Sequence, residues 1–482
     1  MTRPDATCSM ETQERNDHVT HNAADDPRIG AVEEPADEDG WVDEPVFAEP
    51  TATSNGRRPW YRPRWRPLLL WLHRWATFVS MVLIVGFFTS GVFMLYSHDL
   101  VRWTNGSWYR STASADPVTT EQAVATVKAL DPQQFVFAAF LGEGVYQVLQ
   151  LDDAGSVTVN FVDPGTGMVN ASVPQESLDR PFGDIGSFIT NLHNCALSCE
   201  GLAGYLPVMT SEVPLIGWSL GQLTIVAAGL ATLFLTLTGL VLWWPGLRRW
   251  QRGFRLRRRS FYVFNFDLHN VLGFAAIPFL LMWGLTGITF ELPGTSDLWY
   301  SATGGRDESM AQAMVAATTF GDPSSKPEIS LEEAKRLALA AAPGSTFTGV
   351  FLPDPEGMTT GRPGYYYAFA LARAGLDPQR YGGRFSWQPF QVTGSELIYV
   401  GAYDGRTVGP TSGLAAQIWD DYRPGLHVGT FADPFWRLIW AFFGLSAVVL
   451  TFTGMVMWWR RWNSRRHQKR RAARTATTEA GS

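Results

Sequence analysis

Apolar residues are concentrated in four long runs that are separated by segments of ordinary polarity. The runs cover roughly Leu68–Tyr96, Leu215–Trp244, Val271–Leu292 and Phe435–Trp459. A helix needs about 20 apolar residues to cross a bilayer, and tryptophan and tyrosine crowd the ends of the runs, as interfacial anchors do. The pattern predicts an α-helical membrane protein with four transmembrane helices, rather than four buried helices of a soluble protein.

The basic residues predict how these helices are oriented. Arginines and lysines cluster before the first run, between the second and third runs, and after the fourth. The segment 97–214 contains only four of them. The positive-inside rule therefore places both termini and the short basic loop in the cytoplasm, and two large loops on the outer side.

The charge of the chain is unevenly distributed. The formal net charge is -6, but residues 1–50 alone carry 14 acidic and 3 basic side chains. This acidic tail lacks apolar periodicity and is expected to be disordered. The predicted order is an acidic tail at 1–65, helix 66–96, outer domain 97–214, helix 215–244, basic loop 245–262, helix 263–292, outer domain 293–433, helix 434–460 and basic tail 461–482.

Both outer segments have the pattern of a small α+β unit. Each begins with a capped helix, at Thr119 and at Ser330. Strand-like runs follow. They lie at 135–140, 145–151 and 157–162 in the first unit and near 346–352, 365–372, 384–392 and 396–400 in the second.

The order helix, outer domain, helix occurs twice. The sequence Thr-Gly-Leu-Val-Leu-Trp-Trp at 238–244 closely matches Thr-Gly-Met-Val-Met-Trp-Trp at 453–459. The halves share one orientation, so we expect two parallel repeats related by a pseudo-two-fold axis along the membrane normal. The Thr-Gly pairs are interpreted as small residues that allow close helix packing, rather than as ligands.

Four histidines occupy related places in the two halves. His73 and His269 lie toward the cytoplasmic end of an apolar run, and each is followed 18 residues later by a glycine. His193 and His427 each precede the second helix of a half, on the outer side. Haem b requires two axial imidazoles in an apolar slot, which helix bundles commonly provide. The pattern favours two haem sites across the bilayer.

Other interpretations of these residues remain open. The histidines could be ordinary half-buried residues, and zinc is less favoured because two histidines are too few ligands. His98 has no counterpart in the other half and is expected at the surface. Cys195 and Cys199 are four residues apart and are either bridged by a disulfide or small apolar side chains.

Together, these motifs resemble the PepSY-associated transmembrane family, also called iron-regulated membrane proteins. The resemblance covers nearly all of 66–461 and rests on four Leu-His pairs and on the Thr-Gly-x-x-x-Trp helix ends. It implies PepSY-like outer domains and a bacterial inner-membrane reductase that releases iron from ferric siderophores. The haem ligands implied are His73, His193, His269 and His427.

The chain itself offers little other chemistry. It contains no Gly-x-Gly-x-x-Gly unit opening a helix, so the reductant is expected to be another protein or the quinone pool. No carboxylate pair or Ser/His/Asp set stands out in the outer segments. The alternative function is that of a non-enzymatic PepSY protein that binds a peptide, a protease or a transporter.

Overall fold

The computed structural model describes residues 65–178, 180–244, 253–304, 320–321, 327–359, 363–376, 395–409, 414–430 and 435–479. The elements are, in chain order, α1 (Trp65–Met94), α2 (Ser97–Thr104), α3 (Thr120–Leu130), β1 (Phe135–Gly142), β2 (Val145–Leu151), β3 (Val157–Val162), β4 (Val169–Pro174), α4 (Asp184–Cys195), α5 (Leu220–Trp243), α6 (Phe261–Glu291), α7 (Thr295–Thr303), α8 (Leu331–Ala341), β5 (Thr346–Phe351), β6 (Tyr366–Ala372), β7 (Ser395–Gly401), β8 (Thr407–Val408), α9 (Leu414–Ala416), a π-helical turn (Gln417–Tyr422), α10 (Arg423–Val428) and α11 (Arg437–Glu479).

Within the described residues, four helices are long and apolar enough to cross a membrane: α1, α5, α6 and the part of α11 at Arg437–Gln468. The chain is therefore a multi-pass membrane protein. Helix α6 begins at Phe261, ten residues before the apolar run, because Ser260 caps it and its polar residues Asn265 and Asp267 are buried. Helix α11 continues to Glu479, so most of the predicted basic tail is helical.

The middle of the helix bundle is apolar and closely packed. Ile84 of α1, Ala276 and Leu280 of α6, and Ala447 of α11 form a buried cluster there. Phe279 of α6 stacks on Phe443 of α11, with 4.3 Å between the ring centroids. This cluster separates the two ends of the bundle, each of which holds two of the four histidines.

The strands of the two outer segments form one antiparallel sheet. Its order is β4-β3-β2-β1-β5-β6-β7-β8, so the two units expected from the sequence are joined through β1 and β5. Strands β4 and β8 are additional to the strands that the sequence predicts. The strand predicted at 384–392 lies outside the described residues.

Two pairs of residues, each with the same sequence separation, are in contact at the junction of the two units. Ala139 of β1 pairs with Val350 of β5. Nearby, the backbone N–H of Glu121 donates to the carboxylate of Glu332, and the N–H of Glu332 donates to that of Glu121, both at 3.4 Å. The members of each pair are 211 residues apart in the sequence. The start of α3 therefore faces the start of α8 on one side of the sheet.

His98 is buried, so the expectation of a surface position is wrong. Only 7% of the residue is exposed, and its Nε2 lies 3.0 Å from a carboxylate oxygen of Glu143 in the β1–β2 turn. Arg102 of α2 contacts the same carboxylate. A residue that follows a transmembrane helix is thus covered by the sheet, a contact that sequence pattern does not reveal.

Candidate functional site

The first pair of histidines, His73 and His269, lies at the end of the bundle away from the sheet, and we call it the basic-end pair. The Nδ1 atom of His73 lies 2.8 Å from the hydroxyl of Thr238 on α5. His269 makes the same 2.8 Å contact with Thr453 on α11. A Cβ atom added at Gly454 would lie 3.5 Å from Cε1 of His269 and 3.8 Å from Cγ2 of Thr77, which is one helical turn after His73 on α1, so the two histidines face the same region of the bundle.

The second pair, His193 and His427, lies at the end nearer the sheet, and we call it the sheet-end pair. His193 on α4 places Nδ1 3.1 Å from the hydroxyl of Ser90 and 3.0 Å from the carbonyl oxygen of Phe87, both on α1. His427 on α10 places Nδ1 2.7 Å from the hydroxyl of Thr286 on α6. All four histidines therefore contact a hydroxyl group through the same ring nitrogen.

These hydroxyl groups determine which ring nitrogen carries the proton. Each hydroxyl donates its single hydrogen to a backbone carbonyl of its own helix, for example Thr238 to Phe234 at 2.6 Å and Thr286 to Met282 at 2.7 Å. Ser90 and Thr453 do the same. The oxygen must then accept a hydrogen from the imidazole, so Nδ1 is protonated. Nε2 is left as the nitrogen with a free lone pair, as a metal ligand requires.

A glycine follows each hydroxyl residue, and at Gly91 the absence of a Cβ atom is what allows the imidazole to approach the helix. A Cβ atom added at Gly239 or Gly454 would lie 3.5 Å from Cε1 of His73 or His269, respectively. At Gly287 it would lie 3.8 Å from Cε1 of His427, whereas at Gly91 it would lie only 2.7 Å from Cε1 of His193. The four Ser/Thr–Gly pairs (90–91, 238–239, 286–287 and 453–454) thus position one histidine each.

The positions of these pairs explain the 18-residue spacing in the sequence. Helix α1 carries His73 at one end and the pair that receives His193 at the other. Helix α6 does the same with His269 and the pair that receives His427. At 1.5 Å per residue, 18 residues extend about 27 Å, close to the thickness of the bilayer core. The two candidate sites therefore lie at opposite ends of the helix bundle.

The sheet-end rings are separated by the distance that a shared metal ion requires. The centroids of the His193 and His427 rings are 6.2 Å apart. Two imidazoles on opposite sides of one metal, each with a bond of about 2 Å, have ring centres about 6 Å apart. The residues present at this site therefore fit a metal bound by two histidines.

Two tryptophans hold the backbone at His427, and burial keeps its imidazole neutral. The indole N–H of Trp283 donates to the carbonyl of His427 at 2.8 Å, and that of Trp440 donates to the carbonyl of Leu426 at 2.9 Å. Burial lowers the pKa of His427 from 6.5 to about 3, and that of His193 to about 4. Both imidazoles are therefore neutral at physiological pH, the form that binds metals.

The chain next to His193 is fixed by further contacts. Cys195 and Cys199 are joined by a disulfide whose Cα atoms are 5.6 Å apart. The side-chain oxygen of Asn191 accepts a hydrogen bond from the backbone N–H of Cys199 at 3.1 Å. These contacts hold the turn that follows α4, which carries His193.

Sequence reasoning selected the four histidines as candidate ligands but did not anticipate their contacts with Ser90, Thr238, Thr286 and Thr453. It interpreted the Thr-Gly pairs only as packing residues. The available signal was a hydroxyl residue directly before each of four glycines in the apolar runs. Among the described residues, no group of three or more His, Cys, Asp or Glu side chains is placed to hold a metal ion. A metal at either end of the bundle would therefore have to be held by the two imidazoles alone.

Comparison with known proteins identifies the family. No curated protein matches the chain. The model of one protein family, described as the PepSY-associated TM region, matches residues 70–461. This match includes all four histidines and all four Ser/Thr–Gly pairs, and it extends over most of the 482 residues. The chain belongs to the PepSY-associated transmembrane family.

Proposed function

We propose that the protein is a haem b oxidoreductase that passes electrons across a bacterial cytoplasmic membrane to an acceptor on the outer side. His73 and His269 would hold one haem, and His193 and His427 a second. The observation that carries this proposal is the hydrogen-bonding pattern that the four imidazoles share. Each donates through Nδ1 to a fixed oxygen and keeps Nε2 for a metal.

Ordinary structural histidines would not require this arrangement. A histidine that serves only as a polar contact can use either nitrogen, and its neighbours need not agree with those of other histidines. Here two pairs use the same nitrogen, and the sheet-end pair has the spacing of a two-histidine metal site. Zinc is disfavoured because structural and catalytic zinc sites use three or four protein ligands.

The residues of this chain perform a binding role rather than acid–base catalysis. The imidazoles bind and orient the cofactor, and the apolar cluster around Ala276 and Leu280 excludes water between the two sites. Bound haem supplies one-electron chemistry. Such a reaction requires no general acid or base, in keeping with the absence of a carboxylate pair from the outer segments of the sequence.

The direction of transfer follows from the predicted topology. We infer two parallel repeats related by a pseudo-two-fold axis, in keeping with the pairing of Ala139 with Val350 and of Glu121 with Glu332. Both termini and the basic loop would lie in the cytoplasm, and the sheet would be formed by PepSY-like domains on the outer side. Electrons from a cytoplasmic donor or from quinol would enter at His73 and His269.

The acceptor is proposed to be a ferric siderophore. The support is the resemblance of the Leu-His pairs and helix ends to iron-regulated membrane proteins, together with the place of the sheet-end pair beside the outer domain. Reduction of the bound iron on the outer side would release it for uptake. The alternative function, a non-enzymatic PepSY protein that binds a peptide, a protease or a transporter, needs no haem.

One spectrum distinguishes the two functions. The full-length protein, produced with added haem and purified, is expected to show b-type bands in a dithionite-reduced minus oxidised difference spectrum. Absence of these bands would end the oxidoreductase proposal.

Two variants then test whether the sites are separate. His269→Ala should lose the haem at the basic end and keep the other, whereas His427→Ala should do the reverse. Haem content by the pyridine haemochrome assay should fall by about half in each. Loss of all haem in either variant would contradict two independent sites.

A further inference from the structure

Three arginines converge at the basic end of the bundle. Arg74 belongs to α1, and Arg461 and Arg465 belong to α11. The two helices contact each other one turn further into the bundle, where the rings of Phe78 and Trp458 are 5.6 Å apart. Arg74 lies four residues before Phe78, and Arg461 and Arg465 lie three and seven residues after Trp458, so all three are on the helix faces that meet at this contact. The three side chains therefore form one cluster of like charge.

No carboxylate of the described residues compensates this cluster. Within that part of the chain, none of the three arginines has an ion pair or a side-chain hydrogen bond. Asp267 is already held by Arg257, through two side-chain hydrogen bonds of 2.9 and 3.0 Å and one from the backbone N–H.

The position of the cluster makes the repulsion among its positive charges strong. Arg74 and Arg461 are half-buried rather than fully solvated. Like charges in partly dehydrated surroundings repel strongly, and an anion placed among them removes that cost.

The cluster lies directly beside a candidate metal ligand. Arg74 follows His73 in the sequence, and α11 also carries Thr453, which orients His269. A Cβ atom added at Gly454 would contact both His269 and Thr77 of α1. The arginines and the basic-end pair thus belong to the same corner of the bundle, formed by α1, α6 and α11.

We propose that Arg74, Arg461 and Arg465 form an anion site for the propionate carboxylates of the porphyrin that His73 and His269 hold. The inference rests on the proposed function. A porphyrin of haem b carries two carboxylates on one edge, and arginine binds carboxylates through two parallel hydrogen bonds. The three guanidinium groups supply enough N–H donors for both carboxylates and would orient the porphyrin in its site.

The test compares haem with its dimethyl ester, in which the propionate charges are removed. Full-length protein in the His427→Ala background, produced without haem, is titrated with each compound. The ester is expected to bind about tenfold or more weakly than haem, because a hydrogen bond to a charged group contributes about 1.5–3 kcal/mol. In the Arg74→Gln/Arg461→Gln variant, which keeps only Arg465, most of the preference for haem over the ester should be lost.

A matched control is available on the same helix. Arg66 lies at the same end of α1, but it donates to the carbonyl of Leu242 at 2.8 Å and is not one of the charges that act on Arg74. Arg66→Gln should preserve the preference for haem over the ester. Arg74→Lys keeps the charge and should retain most of that preference.

The redox potential provides a second measurement that a merely structural role would not change. Loss of positive charge beside the iron favours the ferric state, so Arg74→Gln should lower the midpoint potential of the basic-end haem. Arg66→Gln should leave it unchanged.

The outcomes separate this inference from the proposed function. A protein that binds no haem contradicts both. Haem that binds no more tightly than its ester overturns only the propionate site. If native mass spectrometry shows an anionic phospholipid bound to the unsubstituted protein but absent from the double variant, and the ester still binds as well as haem, the cluster binds a lipid phosphate instead.

Discussion

At the residue scale, the hydroxyl group before each glycine orients the histidine that it contacts. Thr238 accepts the Nδ1 proton of His73 while its own proton goes to Phe234. Without this acceptor the ring could rotate or change its tautomer. Groups that orient metal-binding histidines typically change metal affinity about 10–100-fold when they are removed.

Thr238→Val should therefore weaken haem binding at the basic end by about 10–100-fold. Haem titration of the full-length protein followed by absorbance measures the change. Thr238→Ser keeps the hydroxyl and should bind nearly normally. Thr236→Val is the matched control, because Thr236 is buried on the same helix and donates only to Thr232. Equal affinities of Thr238→Val and the unsubstituted protein would rule out the orienting role.

The glycines of the sheet-end site offer a paired test. An added Cβ at Gly91 would lie 2.7 Å from His193, closer than any relaxed contact, whereas at Gly287 it would lie at an ordinary 3.8 Å from His427. Gly91→Ala is expected to displace His193 and lose most of the sheet-end haem, and Gly287→Ala to retain it. The pyridine haemochrome assay measures haem content in both. A similar loss in the two variants would show that close approach is not the cause.

At the element scale, the contact between β1 and β5 turns two outer units into one sheet. Phe140 of β1 lies opposite Gly349 of β5, and its ring occupies the space that a side chain at 349 would need. The outer parts of the two halves therefore share a core, with α3 and α8 packed on the same buried cluster. A substitution that overpacks this junction should therefore lower the stability of both units together.

Gly349→Ala is expected to destabilise the sheet by about 1–3 kcal/mol, because overpacking a filled core forces side chains and backbone apart. Thermal unfolding monitored by circular dichroism should show a lower midpoint. Gly142→Ala, in β1, is the control, since the added Cβ would lie 3.7 Å from Gln147, an ordinary contact. If both variants unfold at the same temperature, the junction does not limit stability.

At the scale of the whole molecule, the proposed function requires the two candidate sites to face opposite sides of the membrane. The basic residues flank the end that holds His73 and His269, and the sheet lies toward the end that holds His193 and His427. This arrangement would let electrons enter from one compartment and leave to the other. It can be tested without any knowledge of the donor or the acceptor.

Single cysteines introduced in a Cys8→Ser background should report this topology. Ser107→Cys, which is exposed after α2, should react with a membrane-impermeant maleimide in intact spheroplasts. Arg466→Cys, which is exposed on α11, should react only after the membrane is permeabilised. The reverse labelling pattern would invert the proposed direction of electron flow. The bridged pair, Cys195 and Cys199, should stay unlabelled unless reductant is added.

The sequence by itself determined the parts of this protein that depend on local composition. Long apolar runs predict the four membrane helices, because a bilayer imposes length and apolarity on each helix independently. Period-two runs and turn residues likewise predict most of the described strands, such as β2 and β3. The four histidines could be selected because they occupy related places in the two halves.

Only the tertiary structure decided what depends on contacts between distant segments. The pairing of Ala139 with Val350 and the burial of His98 beneath Glu143 both require neighbours far away in the chain. The same is true of the hydrogen bond between His73 and Thr238, which are 165 residues apart. Composition marks the residues that enter the bilayer, but the proton position on each imidazole is set by the one helix that packs against it.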